Sequence, residues 1–320
     1  MSDVQVSVFG SWAHPDDWPR LFMQFAMTKT KYEIVVAGPT KPDYILPENV
    51  TFIHCTPDPG PCRCAQIAAQ HCSGETLLMS QDDFVFSPFA LDEMYNAYLS
   101  ENNYKYMVHA RWGTQTKDRT NECLQSMFIT PNPKVRYGIT LFSKRIFDEL
   151  GGFDRRYNAG PYDADLQYRI YASGGKYRYA SDAFVCEDRS LMLEGTDSAW
   201  TRLNASAEVT DFHKRWHSNG LFVGGSLLTV PTIPFEPIGE NEITCSRTIV
   251  RTTDPTLPYW YTIAYDDLYR RGRFMDLTET YDTEHEYEHM RLNAERMLAP
   301  QTNTDVSPVP GPRNIPRSIG

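Results

Sequence analysis

The first hundred residues alternate between short apolar runs and amphipathic segments, and this alternation constrains the fold more than any other feature of the chain. Strand-like runs cover 4–9, 32–37, 50–54 and 76–80, and helix-like segments follow at 18–28, 64–72 and 90–100. Repetition of strand, helix and strand predicts a doubly wound α/β sheet with helices on both faces. In such sheets ligands bind beyond the carboxyl ends of the strands. The site should therefore be sought where these four runs end.

The later sequence continues this alternation, and its composition changes around residue 220. Further strands are predicted at 106–110, 126–130 and 177–185, with helices at 143–150 and 163–172 that each end at a Gly-Gly pair. We expect a main domain at 1–220, a C-terminal subdomain on the acceptor side at 221–298, and a flexible Pro-rich tail at 299–320. The tail follows from composition, because it has almost no large apolar residue to bury.

Composition narrows the functional class. The 320 residues carry a net charge of −10 and are 41% hydrophobic, so binding of bulk nucleic acid by charge alone is disfavoured. The seven cysteines form no C-x-x-C pair, which indicates reduced thiols and a cytoplasmic location. No apolar run approaches the roughly 20 residues of a membrane span, so stable membrane insertion is not expected.

Two adjacent carboxylates, Asp82 and Asp83, follow the apolar run at 76–80. Like charges at a strand end are unfavourable unless a cation or hydrogen bonds offset them. A hard divalent cation shared with phosphate oxygens suits this arrangement. The alternative is an ordinary acidic loop, or a helix N-cap before Pro88.

A second acidic cluster surrounds the start of the predicted helix at 163–172. Asp154 follows Gly151-Gly152, and Asp163 and Asp165 lie in the first turn of the helix. Successive helical residues are rotated by about 100°, so Asp163 and Asp165 point about 200° apart and cannot share one role. We expect Asp163 to face a cleft and Asp165 to pair with Arg169 at i+4.

These segments together resemble family-2-like GT-A glycosyltransferases over roughly residues 1–220. The matching stretches are SQDD at 80–83, GITLFSKRIFDELGGFD at 138–154 and YDADLQYR at 162–169. The family has a D-x-D-type motif at a strand end, then a G-G-F-D segment and an E-D-x-[DE]-L-x-x-R motif. The resemblance implies a GT-A fold, which is a Rossmann-like doubly wound mixed sheet. It also implies metal-dependent, inverting transfer of a hexosyl or N-acetylhexosaminyl group from a nucleotide-sugar.

Carried over by position, the resemblance assigns roles to individual residues. Asp163 would be the general base that deprotonates the acceptor hydroxyl. Mn²⁺ or Mg²⁺ would be held by Asp83, assisted by Asp82. At the position of a late ligand the sequence offers Asp188 or Glu187, with His213 and His217 as further candidates. The remaining assignments are donor binding by Ser11, Arg63, Gln81 and Asp82, with packing as the alternative for Arg63, and acceptor binding by Tyr162 and Asp165. Trp260 and Arg270, from the aromatic and basic stretch at 247–274, are added as acceptor contacts.

The sequence departs from the family pattern where a nucleobase would be read. The family usually has an acidic residue after the second strand, but here the strand runs into Ala37-Gly38-Pro39. Tyr162 also stands where the family has Glu. A UDP-sugar is the donor favoured by the resemblance, and the acceptor is either a glycan or a hydroxymethylated base in DNA. Interleaved aromatic and basic residues at 247–274 suit either acceptor, while the net charge counts against DNA.

Other motifs offer alternatives. Residues 13–17 read AHPDD, as in zinc-dependent N-acetylglucosamine deacetylases, in which a His such as His14 and one Asp bind zinc; Trp18 replaces the Glu that completes that motif. Residues 285–289 fit H-E-x-x-H, but the surrounding helix is polar on all sides, which indicates a solvated helix. A non-catalytic module that binds a nucleotide or a sugar on the same fold is a further alternative. Metal-dependent donor hydrolysis separates it from an enzyme.

Overall fold

The computed structural model describes residues 3–87, 89–115, 139–188, 207–208, 210–212, 214–216, 234–250 and 254–266. Its strands are β1 (Val6–Ser11), β2 (Tyr32–Gly38), β3 (Val50–Thr56), β4 (Thr76–Met79), β5 (Phe84–Phe86), β6 (Tyr106–Gln115), β7 (Thr140–Ser143), β8 (Lys176–Asp188) and β9 (Ser246–Val250). Its helices are α1 (Trp18–Ala26), α2 (Pro61–His71), α3 (Ala90–Leu99), α4 (Lys144–Glu149), α5 (Tyr162–Ala172) and α6 (Trp260–Asp266). Short 3₁₀ turns occur at Pro15–Asp17 and Glu240–Glu242.

The strands form one mixed sheet in the order β5-β8-β6-β7-β4-β1-β2-β3-β9. Strands β1 to β4 are mutually parallel, as the alternating sequence predicts. Strand β7 runs antiparallel between β4 and β6, while β6 and β8 are parallel to each other. Antiparallel β5 and β9 form the two edges. The α/β expectation and the mixed sheet are therefore confirmed.

Each face of the sheet carries its own apolar layer, because successive side chains of a strand point to opposite faces. Val6 and Val8 of β1 join the cluster on the α1 and α3 side, where Trp12 and Trp18 are also buried. Phe9 points the other way, into the cluster on the α2 and α5 side. Full burial of one such side chain contributes roughly 1.5–3 kcal/mol. These two layers fix the strand ends from which the site is built.

The strands that sequence periodicity does not predict are short or lack a buried face. Strand β5 has only three residues, too few to show alternation. Strand β9 is exposed along almost its whole length, so it has no apolar pattern to detect. It comes from the predicted subdomain at 221–298, yet it pairs with β3 in the main sheet. The division at 220/221 stays a prediction.

Several predicted segments lie outside the described residues: the strand at 126–130, the H-E-x-x-H helix, the tail at 299–320, and Arg270. Within the part that the structure describes, no helix is both long and apolar enough to cross a bilayer. The five cysteines that it characterises there are free thiols, namely Cys55, Cys62, Cys64, Cys72 and Cys245.

Candidate functional site at the carboxyl ends of β1 and β4

The loop after β1 is held by the acidic segment after β4. Oδ2 of the buried Asp82 accepts hydrogen bonds from the backbone N–H groups of Ala13 and His14, each at 2.7 Å. His14 Nδ1 lies 3.4 Å from the same oxygen, and an Arg20 guanidinium nitrogen lies 3.5 Å from the backbone oxygen of Asp82. Charge-assisted bonds of this kind are stronger than neutral ones. Asp82 therefore ties the two strand ends together, a role that the sequence did not predict.

Tyr44 lies on the outer side of this loop and donates a hydrogen bond from its hydroxyl to Pro15 O at 2.7 Å. Burial raises the pKa of Tyr44 strongly, and the charges of Asp16, Asp17 and Asp82 raise it further. The phenol is therefore neutral and serves as a donor. The loop of the AHPDD motif is in this way fixed from both sides, by Asp82 and by Tyr44.

Asp83 and Asp188 are brought together by the pairing of β5 with β8. The antiparallel register places Phe84 opposite Glu187. Asp83 immediately precedes Phe84, and Asp188 immediately follows Glu187 at the end of β8. Asp83 is half-buried. The pairing thus brings the backbones of residues 83 and 188 to the same end of the ladder, although they are far apart in sequence.

Asp163 occupies the first turn of α5 and is buried. Its Oδ1 accepts the N–H of Ala164 at 2.8 Å. The neighbouring Tyr162 is also buried, and its ring meets Phe153 edge-on at 5.0 Å. Burial raises the pKa of Tyr162 well above its usual value, and the negative charges of Asp163 and, more weakly, Asp83 add to that rise. The charges of both carboxylates therefore affect the same phenol.

Asp165 points into the core, as its rotation from Asp163 predicts. Its Oδ2 accepts from Arg169 Nε at 2.8 Å, which confirms the predicted i+4 pair. Its Oδ1 accepts from Trp216 Nε1 at 2.8 Å and lies 3.3 Å from the guanidinium of Arg215. Both oxygens are engaged and the residue is fully buried. This geometry gives no support to the predicted role of Asp165 in acceptor binding and makes it structural.

Arg63 is also occupied within the protein. Its guanidinium donates to Asn158 Oδ1, to Tyr157 O at 3.4 Å and to Arg155 O at 3.3 Å. The residue therefore holds the loop that precedes α5. Of the two roles that the sequence allows for Arg63, donor-phosphate binding and packing, the contacts favour packing.

The end of β2 leaves no room for a base-reading side chain. A Cβ on Gly38 would lie 1.9 Å from the carbonyl oxygen of Trp12, far inside van der Waals contact. That oxygen is fixed because Trp12 N donates to Ala37 O at 3.0 Å. Beside it, His54 Nε2 lies 2.9 Å from Pro39 O. A side chain at residue 38 is therefore excluded on steric grounds in this conformation.

The other predicted contacts divide between the strand ends and the edge of α1. Ser11 and Gln81 are half-buried at the ends of β1 and β4, beside Asp82. Trp260 packs edge-on against Phe22 of α1 with ring centroids 5.7 Å apart. Its neighbours Tyr259 and Tyr261 are 51% and 52% exposed, and their rings stack at 5.3 Å and 9°. Both belong to the aromatic and basic stretch at 247–274, and they are more exposed than Trp260.

No protein-family model matches this sequence, and none of the curated proteins compared with it matches either.

The donor chemistry of the strand ends fits a hard divalent cation, because it consists of carboxylate oxygens. Among the characterised side chains, no group of three or more His, Cys, Asp or Glu residues is arranged to hold a metal ion. His14 Nδ1 lies 3.4 Å from Asp82 Oδ2, and the zinc arrangement expected of the AHPDD alternative stays a prediction.

Three functional neighbours of α5 were not predicted: Glu208, Arg215 and Trp216. They belong to the helical residues 207–208, 210–212 and 214–216, which we call the cap segment. Arg215 donates to Asp154 at 2.6 Å, and Trp216 donates to Asp165. Isolated charged or aromatic residues in a helical segment form no motif with a recognisable spacing, so these three residues could not be identified from the sequence.

Proposed function

We propose that the protein is a metal-dependent, inverting glycosyltransferase of the GT-A type, which moves a sugar from a nucleotide-sugar onto an acceptor hydroxyl. The observation that carries the proposal is the joining of two strand ends by the first acidic motif, in which Asp82 after β4 accepts from Ala13 and His14 after β1. The second acidic motif places the buried Asp163 in the first turn of α5, and its charge and that of Asp83 both raise the pKa of the neighbouring Tyr162, which burial raises most. The mixed doubly wound sheet, with these residues beyond its strand ends, supports the same conclusion.

In this proposal Asp163 is the general base. It accepts the proton of the acceptor hydroxyl as that oxygen bonds to the anomeric carbon of the donor sugar. The bond from that carbon to the diphosphate oxygen breaks, and the nucleoside diphosphate leaves with the electron pair. Attack opposite the leaving group inverts the anomeric carbon. A base must lie within hydrogen-bond reach of the proton that it removes, and in this proposal the first turn of α5 supplies that base.

Asp83 and Asp188 would hold Mn²⁺ or Mg²⁺, which supplies charge neutralisation of the diphosphate when bound. Asp82 positions the loop after β1 through its bonds to Ala13 and His14. Ser11 and Gln81 flank the same position and are the donor contacts that we retain. A UDP-sugar is the first donor to test.

The acceptor surface is assigned to the aromatic edge at Tyr259, Trp260 and Tyr261. This segment is tied to the outer side of the site, because Ile45 N donates to Pro258 O at 2.8 Å and Trp260 N donates to Ile45 O at 3.1 Å. Exposed tyrosine faces stack on sugar rings or on unpaired bases. A neutral glycan and DNA that contains hydroxymethylated bases are the two acceptor classes to compare.

The experiment is a thermal-shift and hydrolysis screen against UDP-, GDP-, dTDP- and CMP-sugars, with and without Mn²⁺. We expect one donor to give a metal-dependent shift that is lost in Asp83→Ala, and turnover that is lost in Asp163→Asn. Asp148→Asn is the control, because Asp148 is an exposed residue of α4, which follows β7 and so lies at the opposite end of the sheet. Donor hydrolysis retained in Asp163→Asn would refute the assigned base. Binding without turnover would favour the non-catalytic module.

A further inference from the structure

Glu208 of the cap segment places a buried carboxylate against three consecutive backbone N–H groups. Its Oε1 accepts from Asn158 N at 2.9 Å and from Asn158 Nδ2 at 3.1 Å. Its Oε2 accepts from Ala159 N at 3.0 Å and from Gly160 N. The residue is almost fully buried. These four hydrogen bonds satisfy the carboxylate and fix the backbone conformation of the loop at 158–160.

This loop leads directly into the helix that carries Asp163. Only Pro161 separates Gly160 from the first residue of α5, and the helix has no side-chain cap of its own. Tyr162 N donates to Gly160 O at 2.7 Å, so the backbone that Glu208 holds also holds the start of the helix. A shift of the loop would therefore move Asp163 as well.

The fit at Gly160 shows that the contact is specific. A Cβ on Gly160 would lie 2.6 Å from both Cβ and Oε2 of Glu208. The carboxylate therefore occupies the space where a side chain at residue 160 would stand. Arg63 also holds this loop, through Asn158 Oδ1 and the carbonyl oxygen of Tyr157. A carboxylate and a guanidinium from distant segments therefore both bind the loop, and we call the contact of Glu208 with it the clamp.

We propose that Glu208 is a positioning residue, which holds the loop at 158–160 so that Asp163 stands at the reacting hydroxyl. This inference rests on the proposed function for the role of Asp163. A displacement of about 1 Å at a reacting group can cost on the order of 100-fold in rate. Loss of the clamp should therefore lower turnover with little effect on donor binding, because the donor contacts lie at the ends of β1 and β4.

Asp92 provides a matched control. It is also a buried carboxylate that holds a loop, since it accepts from Lys29 N, Thr30 N and Thr30 Oγ1 at 2.6–3.1 Å. That loop joins α1 to β2 and does not lead to Asp163. Asp92→Asn should match Glu208→Gln in its loss of stability and differ from it in turnover.

The experiment compares full-length wild type, Glu208→Gln and Asp92→Asn by hydrogen exchange, thermal melting and Mn²⁺-dependent hydrolysis of the donor found in the screen. Glu208→Gln should exchange the amides of 158–160 about tenfold faster, because an amide group replaces one acceptor oxygen by a donor. It should lower kcat by at least about tenfold and change the donor KM by less than about twofold. Asp92→Asn should keep kcat and the protection of 158–160.

Two results would overturn the inference: unchanged exchange at 158–160, or faster exchange with wild-type kcat. Glu208→Asp serves if the glutamine variant does not fold, since it keeps the charge and withdraws the carboxylate by one methylene. If wild type turns over no donor, the proposed function fails by itself. In that case hydrogen exchange still tests the clamp. Unchanged exchange of the Tyr162 and Asp163 amides in Glu208→Gln would show that Glu208 does not hold the start of α5, while faster exchange of these amides would show that it does.

Discussion

Oδ2 of Asp82 lies 2.7 Å from the backbone nitrogen of His14 and accepts its N–H. Asp82 belongs to the acidic pair after β4, whereas His14 belongs to the AHPDD loop after β1. Two motifs that suggested different enzymes in the sequence are therefore parts of one site. The carboxylate that was expected to bind a metal uses one oxygen to hold a neighbouring strand end. In the proposed function we therefore assign the metal-binding role mainly to Asp83 and Asp188.

Asp82→Ala should destabilise the protein and abolish the donor-induced thermal shift. Two backbone N–H groups would lose their charged acceptor, and each buried group left unsatisfied costs about 1–3 kcal/mol. Urea denaturation measures the first effect, and thermal melting with Mn²⁺ and the donor measures the second. Asp16→Ala is the control, because Asp16 is exposed in the same loop, and it should stay within about 0.5 kcal/mol of wild type. Equal stability of the two variants would contradict this role for Asp82.

Asn substitutions at Asp163 and Asp165 should have opposite consequences although the residues share one helical turn. Asp165→Asn leaves Arg169 and Arg215 without a full counter-charge in the core, and breaking such a pair costs about 3–5 kcal/mol. Asp163→Asn should abolish turnover while costing less stability than Asp165→Asn. Denaturant unfolding and donor hydrolysis, measured on both proteins, check the contrast. Full turnover in Asp163→Asn, or an undiminished unfolding free energy in Asp165→Asn, would contradict the assignments.

The central strands and helices could be predicted because burial imposes periodicity on their sequences. The run at 32–37 became β2 (Tyr32–Gly38), and the helix expected at 163–172 became α5 with one additional residue. Strand β9 could not be found in this way, since it lies at a sheet edge with its side chains exposed. Its place depends on pairing with β3, which is a contact between distant segments.

The charged residues of the candidate site could be predicted from the sequence, but the residues that hold them in place could not. The residues Asp82, Asp83 and Asp163 stand in motifs with recognisable spacing. Nothing in the sequence distinguishes Glu208 from the other acidic residues of the chain. Its partners are backbone N–H groups, which have no sequence identity. Such contacts can be identified only in the folded chain. The same holds for the steric exclusion of a side chain at Gly38, which depends on the position of the Trp12 carbonyl oxygen.

Stability should depend on pH through Asp154, which is fully buried beside Arg156 and Arg215. Although burial acts to raise the pKa of Asp154, hydrogen bonds from Arg156 and Arg215 outweigh it and hold the pKa below its usual value. A lowered folded-state pKa gives stability that is present above the unfolded value, about 3.9, and is lost as the pH falls through the folded value. Asp154→Asn should therefore be about 3–5 kcal/mol less stable at pH 7, with a gap that narrows below about pH 4.

Urea unfolding of both proteins between pH 7 and pH 2.5 tests this prediction. Glu149→Gln is the comparison variant, because Arg145 also lowers the pKa of Glu149 but the pair is exposed to solvent. Screening by water leaves such a pair with little influence on stability. A gap between wild type and Asp154→Asn that stays constant down to pH 2.5 would show that the Asp154 carboxylate does not supply the effect.

Gly38→Ala should destabilise the end of β2 and show whether this position takes part in recognition of the donor. The added Cβ would meet the Trp12 carbonyl oxygen at 1.9 Å, so the backbone has to move, and forced overpacking costs about 1–3 kcal/mol. At Gly239, φ is −72° and the nearest atoms to a Cβ lie 3.8 Å away. Gly239→Ala should therefore be neutral or stabilise by up to about 1 kcal/mol.

Thermal melting of both variants, alone and with each of the four donor classes, measures the change in stability and the order of donor preference. If Gly38→Ala melts like wild type, the loop after β1 can move to accommodate the added Cβ. Steric exclusion would then not explain why an acidic residue is absent from the end of β2. If it melts lower and keeps the wild-type order of donor preference, the nucleobase is read away from the end of β2.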